Sequence, residues 1–307
     1  TAAQISTFSF LFVISLLIFE VINRARQRYT DTTKKTITLP PKSITGAPAM
    51  LCWLICGLPI MFGFLFPVLI LLSFVLQGYS IDFNESITNA AFNSLILAIT
   101  ISCLVMSSAF FMVIVSKFQN SSLIPKLTAA ASSGYAFPGT ILAVGVAIAG
   151  GVLDDTISVV AEKYFNSSFN GLFASGIGLV VIACVIRFQA IGYGAITSGL
   201  GRIPENMMHA NRALGRGFGY GISHVIIPLI KLSFIAGALL VFVDVMKELP
   251  ITLLLRPFNF ETLPTFVYQY AKDELLEEAA LPALIIIATG LIPTIIMNSI
   301  LNRFLKQ

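Results

Sequence analysis

The sequence is short of charged residues. Only 11% of its 307 residues are Asp, Glu, Lys or Arg, whereas 56% are hydrophobic. Soluble domains carry about 25% charged residues, so this chain lacks the polar surface that a water-soluble fold needs. The net charge of +4 does not indicate nucleic-acid binding, because the basic residues lie in short segments between apolar runs, where they orient a membrane protein.

Residues that bind metals or carry out catalysis are also scarce. The only histidines are His209 and His224, and all four cysteines lie within apolar runs. Cys52 and Cys56 would share a helical face, but no histidine or carboxylate accompanies them, so we interpret them as small apolar residues. The sequence therefore predicts neither a metal site nor a disulfide, and it argues against a membrane enzyme with clustered His, Asp or Ser residues.

Long apolar runs dominate the chain. Seven such runs, most of them about 20 residues or longer, predict an all-α polytopic membrane protein with about seven transmembrane helices. Their approximate ranges are residues 5–22, 50–76, 91–115, 127–153, 173–196, 222–243 and 281–300. We expect a bend in the second run at Pro59 and Pro67.

The stretch from Ile203 to Pro228 combines charge, glycine and proline. Pro204 and Glu205 suit the first turn of a helix, and Gly215 suits a bend after it. We therefore predict a short surface helix over Pro204–Gly215 and re-entry into the membrane at Pro228. The residues expected to form this surface are Pro204, Glu205, Met207, Met208, His209, Ala210, Asn211, Arg212, Gly215 and Pro228.

This stretch resembles the cytoplasmic docking loop of ABC importer permeases. The family's pattern is Glu-Ala-Ala, three residues, Gly, nine residues and Ile-x-Leu-Pro. This chain has His-Ala-Asn at 209–211, then Gly215 and, after nine residues, Val-Ile-Ile-Pro at 225–228. The alanine, glycine and proline match the pattern, whereas His209 and Asn211 depart from it.

The resemblance implies a role for the loop over residues 198–228. In the family this loop docks in a cleft of the ATP-binding subunit and passes its motion to the membrane helices. Met207, Met208 and Ala210 would contact that subunit, Gly215 would supply the bend, and Pro228 would start the next helix. The resemblance also implies that the chain is not an enzyme and binds no cofactor directly, because ATP and Mg belong to the partner subunit.

The distribution of Lys and Arg gives an independent orientation. The segments 24–42, 117–126 and 202–216 and the tail at Arg303 are basic, and they fall on one side if every run spans once. The positive-inside rule assigns that side to the cytoplasm. The orientation and the motif therefore agree.

Two further stretches resemble the fused ferric-iron permeases. They are residues 135–145, YAFPGTILAVG, and residues 246–263, MKELPITLLLRPFNFETL. The resemblance implies a six-helix type I ABC permease core over residues 49–307. The helix over 1–23 would resemble the last helix of a preceding permease half, and the basic, Thr- and Pro-rich segment 24–48 would be a cytoplasmic linker. Because the chain starts at Thr1, we expect it to be processed or cut from something longer.

The resemblance also implies partners and a location. A permease in the bacterial inner membrane would work with a dimer of ATP-binding subunits, a periplasmic substrate-binding protein and membrane lipid. It would also need a second permease half, which could be another chain, a missing N-terminal half or a copy of this chain.

Two carboxylates are candidates for a cation path. Asp244 and Glu248 lie four residues apart at the predicted outer end of the sixth helix, so we expect them to share a face. A carboxylate near the bilayer is costly and often functional, and this pair, with Tyr135 as a further oxygen donor, could attract a trivalent cation. The alternative is that both carboxylates reach the outer interface, where they pair with Lys247 or Arg256 or are simply solvated.

Other functions remain open at this stage. The same machinery could carry thiamine, aminoalkylphosphonate, polyamine or sulfate, because a soluble binding protein does much of the selecting. A secondary transporter would instead need internal repeats and charges at the membrane midplane, and the apolar runs hold few charges.

Overall fold

The computed structural model of the protein describes most of the chain. The described residues are 8, 11, 12, 15, 16, 19, 43–78, 85–119, 121, 123–165, 176–201, 203–204 and 206–305. No strand occurs among them, which confirms the all-α prediction. The chain divides into two compact units, residues 1–81 and 82–307, and each is described separately.

Within residues 43–78, the continuously described part of the first unit, one long helix, α1, covers Ala47–Leu76. Its 30 residues extend about 45 Å, which is enough to cross the roughly 30 Å hydrocarbon layer. Pro59 and Pro67, where a bend was expected, flank a π-helical turn over Met61–Leu65. A π-helical turn changes the local hydrogen-bond pattern, so that the N–H that proline lacks is not needed. Of the predicted helix over 1–23, only residues 8, 11, 12, 15, 16 and 19 are described, and they are helical. The rest of that helix and most of the linker lie outside the described residues.

The second unit contains nine helices within its described residues. They are α2 (Glu85–Phe118), α3 (Ile124–Ala131), α4 (Gly139–Phe165), α5 (Gly178–Leu200), α6 (Asn206–Ala213), α7 (Phe218–Met246), α8 (Pro250–Leu255), α9 (Leu263–Lys272) and α10 (Ala280–Leu305). Together with α1, the helices α2, α4, α5, α7 and α10 are long and apolar enough to cross a membrane. The protein is therefore a multi-pass membrane protein.

Helices α2, α5 and α7 form the core of the second unit through small residues. A Cβ added at Gly237 would lie only 2.7 Å from the Cβ of Ala195, and one added at Gly192 would lie 2.8 Å from a methyl group of α2. Ser102 Oγ in α2 donates to the carbonyl oxygen of Ala238 in α7 at 2.7 Å. Close backbones and hydrogen bonds between helices are the means by which transmembrane helices associate in lipid.

The two ends of α2 define two opposite ends of this unit. Near one end, the backbone N–H of Leu263 in α9 donates to Ser94 Oγ at 2.7 Å. At the other end, Phe118 packs edge-on against Phe218, with ring centroids 5.5 Å apart. We call these the α9 end and the α6 end.

The fourth apolar run is not the single helix that we predicted. Helix α3 ends at Ala131, a 3-10 turn covers Gly134–Ala136, and α4 begins only at Gly139. Phe137 is extended, with ψ of 135°, because the ring of a following proline disfavours the helical conformation. This break brings the backbone at Gly134 against the carbonyl of Ile186, where a side chain would not fit.

Pro228 lies in the first turn of an α-helix over Ile227–Met246, as expected, but the helical segment as a whole starts earlier. Helix α7 begins at Phe218 and continues through Pro228 to Met246. A π-helical turn over Ile222–Ile226 ends two residues before the proline. The wider turn gives room for the ring and removes the need for the missing N–H.

Candidate functional site

The predicted surface helix is present at the α6 end. Helix α6 begins at Asn206 and ends at Ala213, within the predicted range Pro204–Gly215. Gly215 follows with φ of +73°, and its N–H donates to the carbonyl oxygen of Arg212 at 2.9 Å. Gly215 ends the helix in the left-handed conformation, which glycine adopts more easily than other residues.

One side of α6 is fixed to the start of α7. Met208 is 6% exposed and packs in a cluster that includes Ile226 and Ile230. Asn211 is also buried. A Cβ added at Gly221 would lie 2.8 Å from Asn211 Nδ2 and 3.0 Å from Met208 Sδ. Met208 therefore anchors α6. The prediction that Met208 contacts the ATP-binding subunit is wrong, because its side chain points inward.

The other side of α6 is exposed and apolar. Met207 is 38% exposed and Leu214 is 79% exposed, and Ala210 between them is also exposed. Spacings of three and four residues place these side chains on one helical face. We call Met207, Ala210 and Leu214 the docking face.

Polar residues complete the exposed surface of this end. Pro204 and Arg212 are exposed, whereas Glu205 and the side chain of His209 lie outside the described part of the chain. Beyond α6, the guanidinium of Arg216 lies 4.6 Å from the ring centroid of Tyr220.

The two candidate carboxylates do not form a pair. Asp244 Oδ1 binds Lys247 Nζ at 2.7 Å, as in the alternative interpretation. Glu248 lies beyond the end of α7 at Met246, so the expectation of one shared helical face is wrong. The helix cannot continue here because Pro250 has no N–H to donate to the preceding turn.

Glu248 instead forms a buried cluster with Arg187 of α5. Arg187 Nε lies 3.5 Å from Glu248 Oε2, and Glu248 is only 5% exposed. Glu248 Oε1 accepts from the N–H of Ile251 at 3.2 Å, and Arg187 Nη1 donates to the carbonyl oxygen of Phe137 at 3.4 Å. The guanidinium lies 5.7 Å from the ring centroid of Tyr135. We call Tyr135, Phe137, Arg187 and Glu248 the Arg187 cluster.

The electrostatics of this cluster favour pairing within the protein. Burial raises the pKa of Glu248, while the Arg187 guanidinium and the Ile251 N–H act in the opposite direction and Asp244 raises it slightly further. A cation bound by Glu248 would have to compete with Arg187 for the same oxygens. The cluster is therefore better suited to joining segments of the chain than to binding a metal.

Gly139, the first residue of α4, makes the cluster possible. A Cβ at this position would collide with Arg187 Nη1 and lie 3.2 Å from Glu248 Oε1. Sequence reasoning missed this arrangement, although a signal was present. Arg187 is a lone cation within an apolar run, and such residues almost always have a partner inside the protein.

A polar cavity lies at the α9 end, and the sequence did not indicate it. Its volume is about 790 Å³, and its lining includes Asn93, Arg256 and Glu261. Arg256 Nη1 binds Glu261 Oε1 at 2.7 Å, and Asn93 Nδ2 donates to the carbonyl oxygen of Glu261 at 2.9 Å. The fully exposed ring of Phe258 lies beside this opening.

Comparison with known proteins gives a curated relative and several similar solved structures, of which two are described below. No protein-family model matches the chain. The chain is 24% identical over 152 residues to the Fe(3+)-transport system permease protein FbpB 2 of Haemophilus influenzae, a match covering 50% of this chain and 29% of the relative. The chain thus matches less than a third of the length of that relative.

Two of the similar structures are of bacterial alginate ABC transporters. One, solved in complex with an alginate pentasaccharide-bound periplasmic protein, has a TM-score of 0.65 at 12% identity and covers 84% of this chain and 94% of that chain. The other, a transporter involved in the import of alginate, has a TM-score of 0.61 at 13% identity and covers 84% and 93%. These identities show the fold alone. The chain is therefore an all-α, polytopic membrane protein with the fold of an ABC transporter permease.

Proposed function

We propose that this chain is the membrane permease component of a binding-protein-dependent ABC importer. It would do no chemistry itself, and ATP hydrolysis would take place on a partner subunit that holds ATP and Mg. The docking face carries the proposal, because an exposed apolar surface on a short helix outside the bundle needs a covering partner.

The contacts of α6 support a mechanical role for that surface. Met208 and Asn211 tie the helix to the start of α7, and α7 continues as one helix to Met246 near the other end. A displacement of α6 would therefore be transmitted along α7 to the segment that carries Glu248. Switching between two rigid arrangements of the bundle would then expose the path to one side at a time.

Ferric iron is the proposed substrate. The support is the curated relative, whose name specifies Fe(3+) transport, together with the resemblance of residues 135–145 and 246–263 to ferric-iron permeases. The second candidate remains the same machinery with thiamine, aminoalkylphosphonate, polyamine or sulfate as cargo. The two similar structures described above are of alginate transporters, so the fold alone does not select a substrate.

The proposed assembly is in the bacterial inner membrane with the docking face in the cytoplasm. The basic segments between the apolar runs support this orientation. The partners would be two ATP-binding subunits, a periplasmic binding protein and a second permease half.

Uptake by reconstituted vesicles tests the proposal. The chain is assembled with its second permease half, ATP-binding subunits and a ferric-binding protein, and both radioactive Fe³⁺ uptake and ATP hydrolysis are measured. Leu214→Asp should reduce uptake and ATPase association at least tenfold, because a buried contact at an interface is lost. The matched control is Leu276→Asp, since Leu276 is another exposed leucine, 56% exposed, in the segment before α10.

The possible outcomes separate the two parts of the proposal. Uptake of another cargo, but not Fe³⁺, would contradict the substrate and leave the permease role intact. Uptake driven by an ion gradient without ATP would contradict the permease role itself.

A further inference from the structure

An apolar groove with one lysine lies on the surface of α7 near the α6 end. Its volume is about 290 Å³. It is lined by Phe110, Ile227, Ile230, Lys231, Phe234 and Ile235. None of the ion pairs formed among the described residues includes Lys231.

The depth of Lys231 follows from the length of α2. This helix has 34 residues and extends about 51 Å, so about 10 Å projects from each side of a roughly 30 Å hydrocarbon layer if the helix is centred. Phe110 lies eight residues before the end of α2 at Phe118, which is about 12 Å. The groove therefore crosses the boundary between acyl chains and headgroups.

The end of α5 independently indicates the same depth for Lys231. A Cβ added at Gly199, one residue before the end of α5, would lie 2.7 Å from Ser233 Cβ and 3.5 Å from Ile230 Cβ. Lys231 is thus level with the end of α5 at Leu200. A lysine at this depth extends its ammonium toward the headgroups while its stem stays on apolar surface.

We propose that this groove binds one anionic phospholipid of the leaflet on the α6 side. The phosphate would bind Lys231 Nζ, and an acyl chain would lie against Phe234 and Ile235 in the direction of the membrane centre. Charge complementarity selects the lipid class, because a zwitterionic headgroup neutralises its own phosphate. The site adjoins Ile226 and Ile230, which anchor α6 through Met208, so the bound lipid would brace the base of the helix that carries the docking face.

Photocrosslinking with defined lipids tests this site. The full chain is reconstituted in phosphatidylcholine vesicles containing a small fraction of phosphatidylglycerol or phosphatidylcholine with a diazirine on the acyl chain. Crosslinks are then located by mass spectrometry of the peptides that contain residues 227–235. Phosphatidylglycerol should label these peptides about fivefold more than phosphatidylcholine. This is the factor expected for one lysine near an anionic surface.

Variants at one position sharpen the result. Lys231→Gln should reduce labelling by phosphatidylglycerol to the level of phosphatidylcholine, and Lys231→Arg should retain it. The matched control is Lys126→Gln, which removes an exposed lysine outside the groove and should retain full labelling.

Four results would overturn the proposal. These are equal labelling by the two lipids, labelling that is unchanged by Lys231→Gln, competition by excess inorganic phosphate, and the absence of labelling by either lipid. Competition by phosphate would indicate a site for a free anion, and absence of labelling would indicate that protein, such as a second copy of the chain, covers the groove.

Discussion

The docking face and the Arg187 cluster differ in almost every physical respect. The docking face is apolar and exposed. It lies on one short helix, whose opposite side is attached to the chain by Met208 and Asn211. The cluster is charged and buried, and it ties α5 to the segments before α4 and after α7. We infer that the first region is made to be covered by a partner, whereas the second holds the bundle together.

Breaking the buried ion pair should have the largest effect on stability. Arg187→Met leaves the carboxylate of Glu248 without its partner and should lower the free energy of unfolding by about 3–5 kcal/mol. The double variant Arg187→Met, Glu248→Leu removes both charges and should recover most of that loss. Thermal unfolding of the purified chain measures both, and a single variant as stable as the parent would contradict the role of the cluster.

The pH dependence of the Arg187→Met variant follows from the same carboxyl group. Without Arg187, burial raises the pKa of Glu248 further above its usual range, so the neutral acid is the form that the fold tolerates. The stability deficit should therefore shrink as the pH falls and grow as the pH rises through that pKa. Unfolding temperatures measured across acidic and neutral pH would check this, and a pH-independent deficit would count against it.

A smaller perturbation of the same cluster comes from Gly139. Gly139→Ala places a methyl group against Arg187 and Glu248 and should cost about 1–3 kcal/mol by overpacking. The matched control is Gly145→Ala in the same helix, where a Cβ meets nothing within 4 Å. The control should be neutral or slightly stabilising, since alanine favours helices more than glycine does. Equal unfolding temperatures for the two variants would show that the cluster tolerates displacement.

How much the sequence could predict depends on how local each interaction is. The position of α6 follows from Pro204 and Gly215, because turn and cap preferences act over a few residues. The inward direction of Met208 does not, because it depends on contact with Gly221 thirteen positions later. The pairing of Arg187 with Glu248 joins residues still farther apart, so neither spacing nor periodicity indicated it.

One local signal was misinterpreted, and another was interpreted only in part. Phe137 and Pro138 indicate an extended residue, yet we expected one continuous helix through them. Pro228 does lie in the first turn of the α-helix over Ile227–Met246, but a π-helical turn joins that helix to Phe218–Gly221, which the sequence did not indicate.

The attachment of α6 should be weaker than the Arg187 cluster. Gly221→Ala brings a methyl group against Asn211 Nδ2 and Met208 Sδ, which are ends of flexible side chains, so we expect a cost of about 1 kcal/mol. Gly219→Ala is the control, because a Cβ there meets nothing within 4 Å. Hydrogen exchange of the α6 amides should accelerate in the first variant only, and equal exchange in both would contradict the proposed anchoring.

The docking face should contribute least to the stability of the isolated chain. Leu214→Asp changes an exposed side chain and should alter the free energy of unfolding by no more than about 0.5 kcal/mol. This is the same substitution that should reduce ATPase association at least tenfold. Thermal unfolding of the purified variant separates the two effects, and a large loss of stability would mean that Leu214 is buried within the chain.

The central claim is that the outward side of α6 receives an ATP-binding subunit. Its most direct test is crosslinking in membranes that contain the complete transporter, with a cysteine-reactive photoprobe attached to Leu214→Cys or to Leu276→Cys. The account predicts that the probe at position 214 captures the ATP-binding subunit and that the probe at position 276 does not. Capture from position 276 alone, or from neither position, would contradict it.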